Sequence, residues 1–311
     1  VEARSREVTL SRSDHHVAQA PIETPVTVAT LVQEASEQLS AAGIEEARQE
    51  ARDLIAAILD APRFWSLMHA GEDADPELVR LLRRAVSRRA AGAPFAYAAG
   101  RSAFRYLSLK VDERVLIPRV ETELLPEIVL SLVRSPGGVV ADIGTGSGAI
   151  ALSLASEGNF DRVIATDISA EALEVARENA DSLHGALRAP VEFRVGVGIA
   201  PVGGERLRAV VSNPPYIAYD ELAALPSSVR DWEPAWALSC AREGMAVTAA
   251  IIRDAAAVLE PGGVLALEVD VRRAATVAEL CATHGAYTGV RVEMDLTGRE
   301  RFVVARRHGE A

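Results

Sequence analysis

The segment Asp142-Ile143-Gly144-Thr145-Gly146-Ser147-Gly148 narrows the choice of fold more than any other part of the chain. It follows the apolar run Gly138-Val139-Val140-Ala141 and opens into a helix-forming stretch from Ala149 to Ser156. A strand that turns through glycines into a helix is the first unit of a doubly wound α/β sheet. Glycines at such a turn let the backbone approach a ligand closely. The register here is Gly-x-Gly-x-Gly, led by an acid at the strand end. It lacks the Gly-x-Gly-x-x-Gly spacing that seats a pyrophosphate on a helix N-terminus. A carboxylate ahead of the turn suits a cationic ligand better than a diphosphate. A structural tight turn is the plainer alternative.

The rest of the chain agrees with this start. Helical patterns at 121–133, 149–156, 170–183, 245–259 and 271–284 alternate with strand patterns at 138–143, 162–167, 191–195, 207–212 and 264–269. Two further strands, 287–294 and 300–306, close the chain. This order predicts a mostly parallel sheet with a C-terminal antiparallel hairpin. Ahead of it, residues 26–92 read as a small helical bundle. Leu31, Val32, Ala35 and Leu39 form one apolar stripe, and Ala47, Ala51, Leu54, Ile55, Ile58 and Leu59 another. A bundle of that size is marginal alone and is expected to lean on its neighbour. Residues 93–118 predict a β-hairpin linker, with 119–311 as the catalytic domain. Residues 1–25 are polar and read as a disordered extension.

The net charge of −11 argues against a general grip on nucleic acid. Arg83, Arg84, Arg88 and Arg89 cluster in one segment, but a solvated helix face accounts for them. Two cysteines, Cys240 and Cys281, are too few for a disulfide framework or a zinc site, so a reducing cytoplasm and no metal are expected. The longest apolar runs are strand-length and broken by charge.

Two positions carry the chemistry beyond the glycine turn. Asp167 ends the next strand, where a carboxylate can accept two hydrogen bonds from a ribose diol. Ser169 is better placed to cap the following helix. An acid-led glycine turn and a ribose acceptor together suit S-adenosylmethionine, which has a sulfonium, an amino group and no phosphate. The second signal is Asn213-Pro214-Pro215-Tyr216, directly after the strand Ala209-Val210-Val211-Ser212. Two prolines stiffen the turn and remove two backbone donors. The carbonyls of Asn213 and Pro214 and the Asn213 side-chain oxygen are left to accept from a planar amide or amine. Tyr216 can pack on the planar group. An amide nitrogen is a poor nucleophile, so catalysis would rest on positioning and on stabilising charge that develops on nitrogen.

With these motifs the chain resembles the HemK-type protein-(glutamine) methyltransferases, from about Val28 onward. The resemblance rests on Leu116-Ile117-Pro118-Arg119, Glu121-Thr122-Glu123, the Asp142–Gly148 turn, Asp167, Asn213–Tyr216, Glu233-Pro234, Pro261-Gly262-Gly263 and Asp295-Leu296-Thr297-Gly298-Arg299. It implies a class I S-adenosylmethionine-dependent methyltransferase fold behind a helical substrate-recognition domain. The implied substrate is the glutamine amide of a peptide-chain release factor. It further implies cofactor contacts from Asp142, Gly144, Thr145, Gly146, Gly148, Asp167, Ile168 and Asn213. Catalytic roles fall to Asn213, Pro214 and Tyr216, and substrate contacts to Arg119, Glu121, Glu123, Pro215, Tyr216 and Glu233.

The chain also departs from the family pattern. Val197 stands where an acid usually meets the adenine, and Val120 replaces a proline after Ile-Pro-Arg. Ala235 replaces an arginine after Glu-Pro, Ser239-Cys240-Ala241-Arg242 replaces a Gly-Gly turn, and Asp270 replaces a glycine. Losing a buried hydrogen-bond acceptor costs about 1–3 kcal/mol of affinity. A second reading therefore stays open. A paralogue recruited to small-molecule biosynthesis could act on an amine by methyl transfer or by a cofactor-independent cyclisation, alone or with a partner subunit. A non-catalytic scaffold and an adenine methyltransferase of nucleic acid are further alternatives, the latter opposed by charge.

Overall fold

A computed structural model describes residues 26–183 and 185–309. The extension expected at 1–25 lies outside the described residues. The described residues begin with four helices, α1 (Val28–Ala41), α2 (Ala47–Leu59), α3 (Trp65–Met68) and α4 (Pro76–Ala90). Their starts and stops follow local chemistry. The Thr27 hydroxyl accepts from Thr30 N, the Asp75 carboxylate accepts from Glu77 N, and Pro76 opens α4 where no donor is needed. Leu31, Leu39, Leu54, Ile55 and Leu82 meet in one buried cluster.

The segment expected to be a hairpin linker opens instead with a single helical turn, α5 (Phe95–Ala99). Phe95 and Ala98 pack into the bundle's apolar cluster. The hairpin proper is β1 (Arg101–Phe104) with β2 (Leu107–Lys110). It is tied to the second half of the chain by polar bonds across long sequence distances. Asn179 accepts from Lys110 N at 2.7 Å and donates to the carbonyls of Lys110 and Ser147. Arg105 at the hairpin tip pairs bidentately with Glu157 at 2.7 Å and donates to the Glu123 carbonyl at 2.6 Å.

After helix α6 (Leu124–Leu132) come β3 (Val139–Ile143), α7 (Ala149–Glu157), β4 (Arg162–Asp167), α8 (Ala170–Ser182), β5 (Val191–Val195) and β6 (Leu207–Ser212). A two-residue parallel pair, β7 (Ile217–Ala218) and β8 (Ser239–Cys240), brackets a run of short turns. The chain then supplies the helix Ala246–Ala255, β9 (Leu259–Glu268), the helix Ala274–Thr283, β10 (Tyr287–Met294) and β11 (Glu300–Arg307). The main sheet runs β10-β11-β9-β6-β3-β4-β5, with β9, β6, β3, β4 and β5 parallel and β11 and β10 antiparallel. Apolar clusters cover both faces of the sheet, which is why its strands read as continuous apolar runs.

Pro261-Gly262-Gly263 proves to be a bulge inside β9 rather than a turn before it. The pairing with β6 jumps from Leu207↔Leu259 to Ala209↔Val264. A Cβ on Gly263 would come within 3.0 Å of the Leu207 carbonyl oxygen, so the two backbones require glycine there. Among the described residues no helix is long and apolar enough to cross a membrane.

Candidate active site

Strand order reverses at β3, whose successor β4 lies on one side and β6 on the other. In open α/β sheets, ligands bind at such a point, beyond the carboxyl ends of the strands. A cavity of about 560 Å³ opens there. A groove of similar size, about 550 Å³, lies between α2 and the hairpin, far from the motifs that carry chemistry.

The cavity wall includes Gly144 and Gly146 after β3, Asp167 and Ile168 after β4, Val197 and Gly198 after β5, and Asn213, Pro214 and Pro215 after β6. Ser212 Oγ donates to the Ile143 carbonyl at 2.6 Å, locking the ends of β3 and β6 together. Gly144, Gly146 and Gly198 have φ of +76°, +55° and +53°, and a Cβ on any of them would meet no protein atom within 4 Å. These glycines therefore clear space at the wall. Asp167 Oδ2 accepts from Gly146 N and Oδ1 from Ser169 N, both at 2.9 Å, which leaves each oxygen a further lone pair. Burial raises the Asp167 carboxyl above its ordinary pKa. Ser169 caps α8, as expected from the sequence.

Among the described residues, Asp167 is the single charged side chain on the wall. S-adenosylmethionine carries a sulfonium, an ammonium and a carboxylate, and so one net positive charge. The cradle of glycines, the Asp167 acceptor and this charge balance fit that molecule. Ile168 and Val197, 61% and 68% exposed, offer apolar surface beside Asp167.

Three of the residues expected at the ligand lie off the wall. Asp142 is fully buried beneath the turn. Its Oδ2 accepts from Thr145 Oγ at 2.6 Å and from Ala151 N at 3.1 Å, so Asp142 and Thr145 shape the turn rather than line the cavity. A Cβ on Gly148 would meet Leu152 at 3.0 Å and Ala176 at 3.3 Å, so this glycine serves helix packing. All three therefore stand behind the wall, where they support the turn.

A second polar group adjoins Asn213. Asn213 Nδ2 donates to Thr122 Oγ at 3.1 Å. Glu268, last residue of β9, faces the Thr122 hydroxyl and the Arg301 guanidinium. Tyr216 is half-buried and off the cavity wall, and burial together with the Glu268 charge raises its hydroxyl's pKa. Glu233 also lies off the wall. Its Oε1 takes Arg119 at 2.6 Å and its Oε2 takes Ile117 N at 3.1 Å, so its carboxylate pins two loops together. Glu121 is exposed, and Glu123 enters through its carbonyl, which accepts from Arg105.

Glu268 and Trp236 were not singled out from the sequence, and Thr122 and Cys240 were given no site role there, standing only in a family motif and in a departure from one. Glu268 did carry a signal, since it ends an apolar strand as Asp167 does. Cys240 lines the cavity and its Sγ donates to the Pro215 carbonyl at 3.1 Å.

Burial pushes both Asp142 and Glu268 up to about 7. In the window from their ordinary values to about 7, the folded chain holds protons that the unfolded chain has released. Stability therefore falls as pH rises through that window. The ligand-free protein should lose about 2–4 kcal/mol between pH 5 and pH 8. Carboxylates held low by arginines, such as Asp53 and Asp270, act only at more acid pH. Urea unfolding at the two pH values checks this, and equal or greater stability at pH 8 would refute it.

Fold and site together define a class I methyltransferase of the Asn-Pro-Pro-Tyr kind. Family models match the PrmC N-terminal domain at residues 30–100 and the Methyltransferase small domain at residues 122–225. The release factor glutamine methyltransferase of Moorella thermoacetica is 41% identical over 288 residues, spanning 92% of this chain and 100% of that one. The Cereibacter sphaeroides protein of the same name is 41% identical over 86% of this chain and 94% of its own length. A solved hMettl16 catalytic domain in complex with the MAT2A 3′UTR hairpin 6 shares the fold at a TM-score of 0.52 and 16% identity, over 78% of this chain and 86% of that one. The chain belongs to the release factor glutamine methyltransferase family.

Proposed function

We propose that this protein transfers a methyl group from S-adenosylmethionine to the side-chain amide nitrogen of a glutamine in a peptide-chain release factor. The observation that carries this reading is the fixed orientation of Asn213. Its Nδ2 is spent on Thr122, which leaves Oδ1 to accept at the cavity. Among the described residues, neither the Asn213 nor the Pro214 carbonyl accepts a loop or side-chain hydrogen bond. Asn213 Oδ1 and the Pro214 carbonyl, held on a stiff turn, match the two N–H groups of a primary amide.

Gly144, Gly146, Asp167 and Ile168 would hold the cofactor, whose sulfonium supplies an electrophilic methyl group. The amide is held so that its nitrogen faces that methyl, which converts an encounter into a positioned displacement. As nitrogen becomes positive, the Asn213 and Pro214 oxygens gain most, because their dipoles already point at it. The nitrogen then releases one proton to water. Tyr216 packs beside the amide from the turn that carries it. Residues 26–92 form the surface that recognises the protein substrate, in keeping with a reactant too large for the cavity. The chain's similarity to release factor glutamine methyltransferases over almost their full length supports this substrate above an amine from a biosynthetic pathway.

Calorimetry with S-adenosylmethionine and S-adenosylhomocysteine tests the first half. Micromolar binding is expected in spite of Val197, since the loss of one acceptor weakens the site by about 1–3 kcal/mol. Peptide mass spectrometry of a release factor incubated with enzyme and cofactor tests the second, and one methyl group on a glutamine is expected. A folded sample that binds neither ligand would return the recruited and scaffold readings to the front.

A further inference from the structure

The turn between β10 and β11 holds an apolar side chain out in water. Leu296 at its apex is 86% exposed, although the turn around it is firmly built. The buried Asp295 accepts through Oδ1 from Thr297 N at 2.8 Å, Thr297 Oγ at 2.6 Å and Arg299 N at 3.1 Å, and through Oδ2 from Arg301 at 3.3 Å. Asp295 N donates to the Arg299 carbonyl at 2.8 Å and closes the turn. Leu296 is therefore presented on a fixed support.

This turn lies at the same end of the sheet as the candidate active site. β11 runs antiparallel to β9, with Phe302 opposite Glu268, so the start of β11 and the turn before it stand at the carboxyl end of β9. Three more exposed apolar side chains share this edge. Met294 ends β10, and Val120 comes two residues before Thr122, which bonds Asn213. Val271 comes two residues after Val269, whose N donates to the Arg301 carbonyl at 2.8 Å. The charges beside them are taken up by one another, Asp270 by Arg272 at 2.9 Å and Arg291 by Glu293 at 2.5 Å. An exposed apolar group rimmed by such pairs marks a protein contact.

The layout of the edge says what meets it. The strands stand in the order β11, β9, β6, β3, β4. Gly144, Gly146, Asp167 and Ile168, which would hold the cofactor, follow β3 and β4, so that side of Asn213 is taken. An amide that faces it must be carried by a chain leading the other way, over β9 and β11. Four bonds separate a glutamine Cα from its amide nitrogen, a reach of about 5 Å. Neighbouring strands are about 4.8 Å apart. The substrate main chain then crosses the edge about one strand beyond Asn213, and the residues flanking the glutamine come down beside the turn.

We propose that Leu296, with Met294, Val271 and Val120 around it, is a docking surface for the apolar part of the release factor that adjoins the acceptor glutamine. It adds to the surface of the helical domain and sets affinity at the reacting end of the substrate. This rests on the reading that Asn213 receives a glutamine amide.

The test is calorimetric titration of a release factor into the full-length protein, with steady-state methyl transfer beside it. Leu296→Ser should raise Kd and KM for the release factor about tenfold, the weight of one buried leucine side chain. It should leave kcat and the affinity for S-adenosylmethionine within about twofold. Met294→Ser should act in the same direction, and Leu296→Met should keep wild-type affinity. Tyr106→Ser is the control. Tyr106 is 83% exposed at the tip of the β1–β2 hairpin, where Arg105 binds Glu157 at the last residue of α7, and so at the opposite edge of the sheet. It should change nothing. A Leu296→Ser protein that binds and methylates the release factor as the wild type does overturns the proposal and leaves the substrate reading intact. An equal loss in Tyr106→Ser overturns it too. A wild type that binds the release factor, loses that binding in Leu296→Ser and yet methylates no glutamine would remove the reading of the reaction and keep the docking surface. A wild type that neither binds nor methylates the release factor removes both.

Discussion

Replacing Asn213 with alanine will lower kcat for methyl transfer by about 10²–10³-fold, the usual loss when one fixed dipole is taken from a developing charge. The side chain sits at the end of β6, and Thr122 sets which of its ends meets the cavity. Alanine removes the oxygen without freeing the two-proline turn. The Pro214 carbonyl remains, so residual transfer persists. KM for the protein substrate should change less than kcat if, as proposed, residues 26–92 supply most of the protein interface. Calorimetry with S-adenosylmethionine supplies the control, with affinity expected to hold within a few-fold. An N213A enzyme that binds cofactor and retains wild-type kcat would remove Asn213 from the chemistry.

The second large effect is expected at Gly244, a position off the cavity wall. Arg242, Glu243 and Gly244 take φ of +56°, +54° and +78° in succession, a left-handed turn against the back of the Asn-Pro-Pro-Tyr segment. A Cβ on Gly244 would lie 2.0 Å from the Tyr216 carbonyl oxygen and 2.7 Å from its carbonyl carbon. Both are backbone atoms, so no rotamer change relieves the clash. Arg273 Nε donates to the Glu243 carbonyl at 2.6 Å and anchors the turn from the other side. Gly244→Ala should therefore cost about 3–5 kcal/mol, from left-handed strain and overpacking together. It should also displace Tyr216 and depress transfer. Gly262→Ala is the matched control. It has φ of +79° with no atom within 4 Å of its Cβ, and should cost about 1–2 kcal/mol from strain alone. Equal costs at the two positions in denaturant unfolding would show that the contact with Tyr216 carries no weight.

The departures at Val197, Ala235 and Cys240 all lie on the cavity wall, while Val120 and Asp270 do not. Asp270 is taken up by Arg272 at 2.9 Å and Arg273 at 3.5 Å, with Glu221 joining both arginines. That network braces the turn around Gly244. A family glycine exchanged for an acid has thus become part of a surface ion-pair cluster, away from the cavity.

The sequence by itself determined the strand–glycine–helix unit, the order of strands and helices, and the Asn-Pro-Pro-Tyr turn with its missing donors. Each is a local matter of φ preference, periodicity or a lost N–H, and each reads the same in the chain and in the fold. Residues 217–244 gave no such signal, since one-turn helices and a two-residue strand pair are held by tertiary contacts rather than by period. Which acids meet a ligand was likewise not local. Asp142 stands one residue short of the end of β3 and Asp167 ends β4, but Asp142 is wholly buried under the glycine turn while Asp167 reaches the wall. Thr122 and Asn213 are 91 residues apart, and Arg119 and Glu233 are 114 apart. Only the packing of α6 and β9 beside β6 could decide these pairings, because parallel strands gather their carboxyl ends from distant parts of the chain at one edge of the sheet.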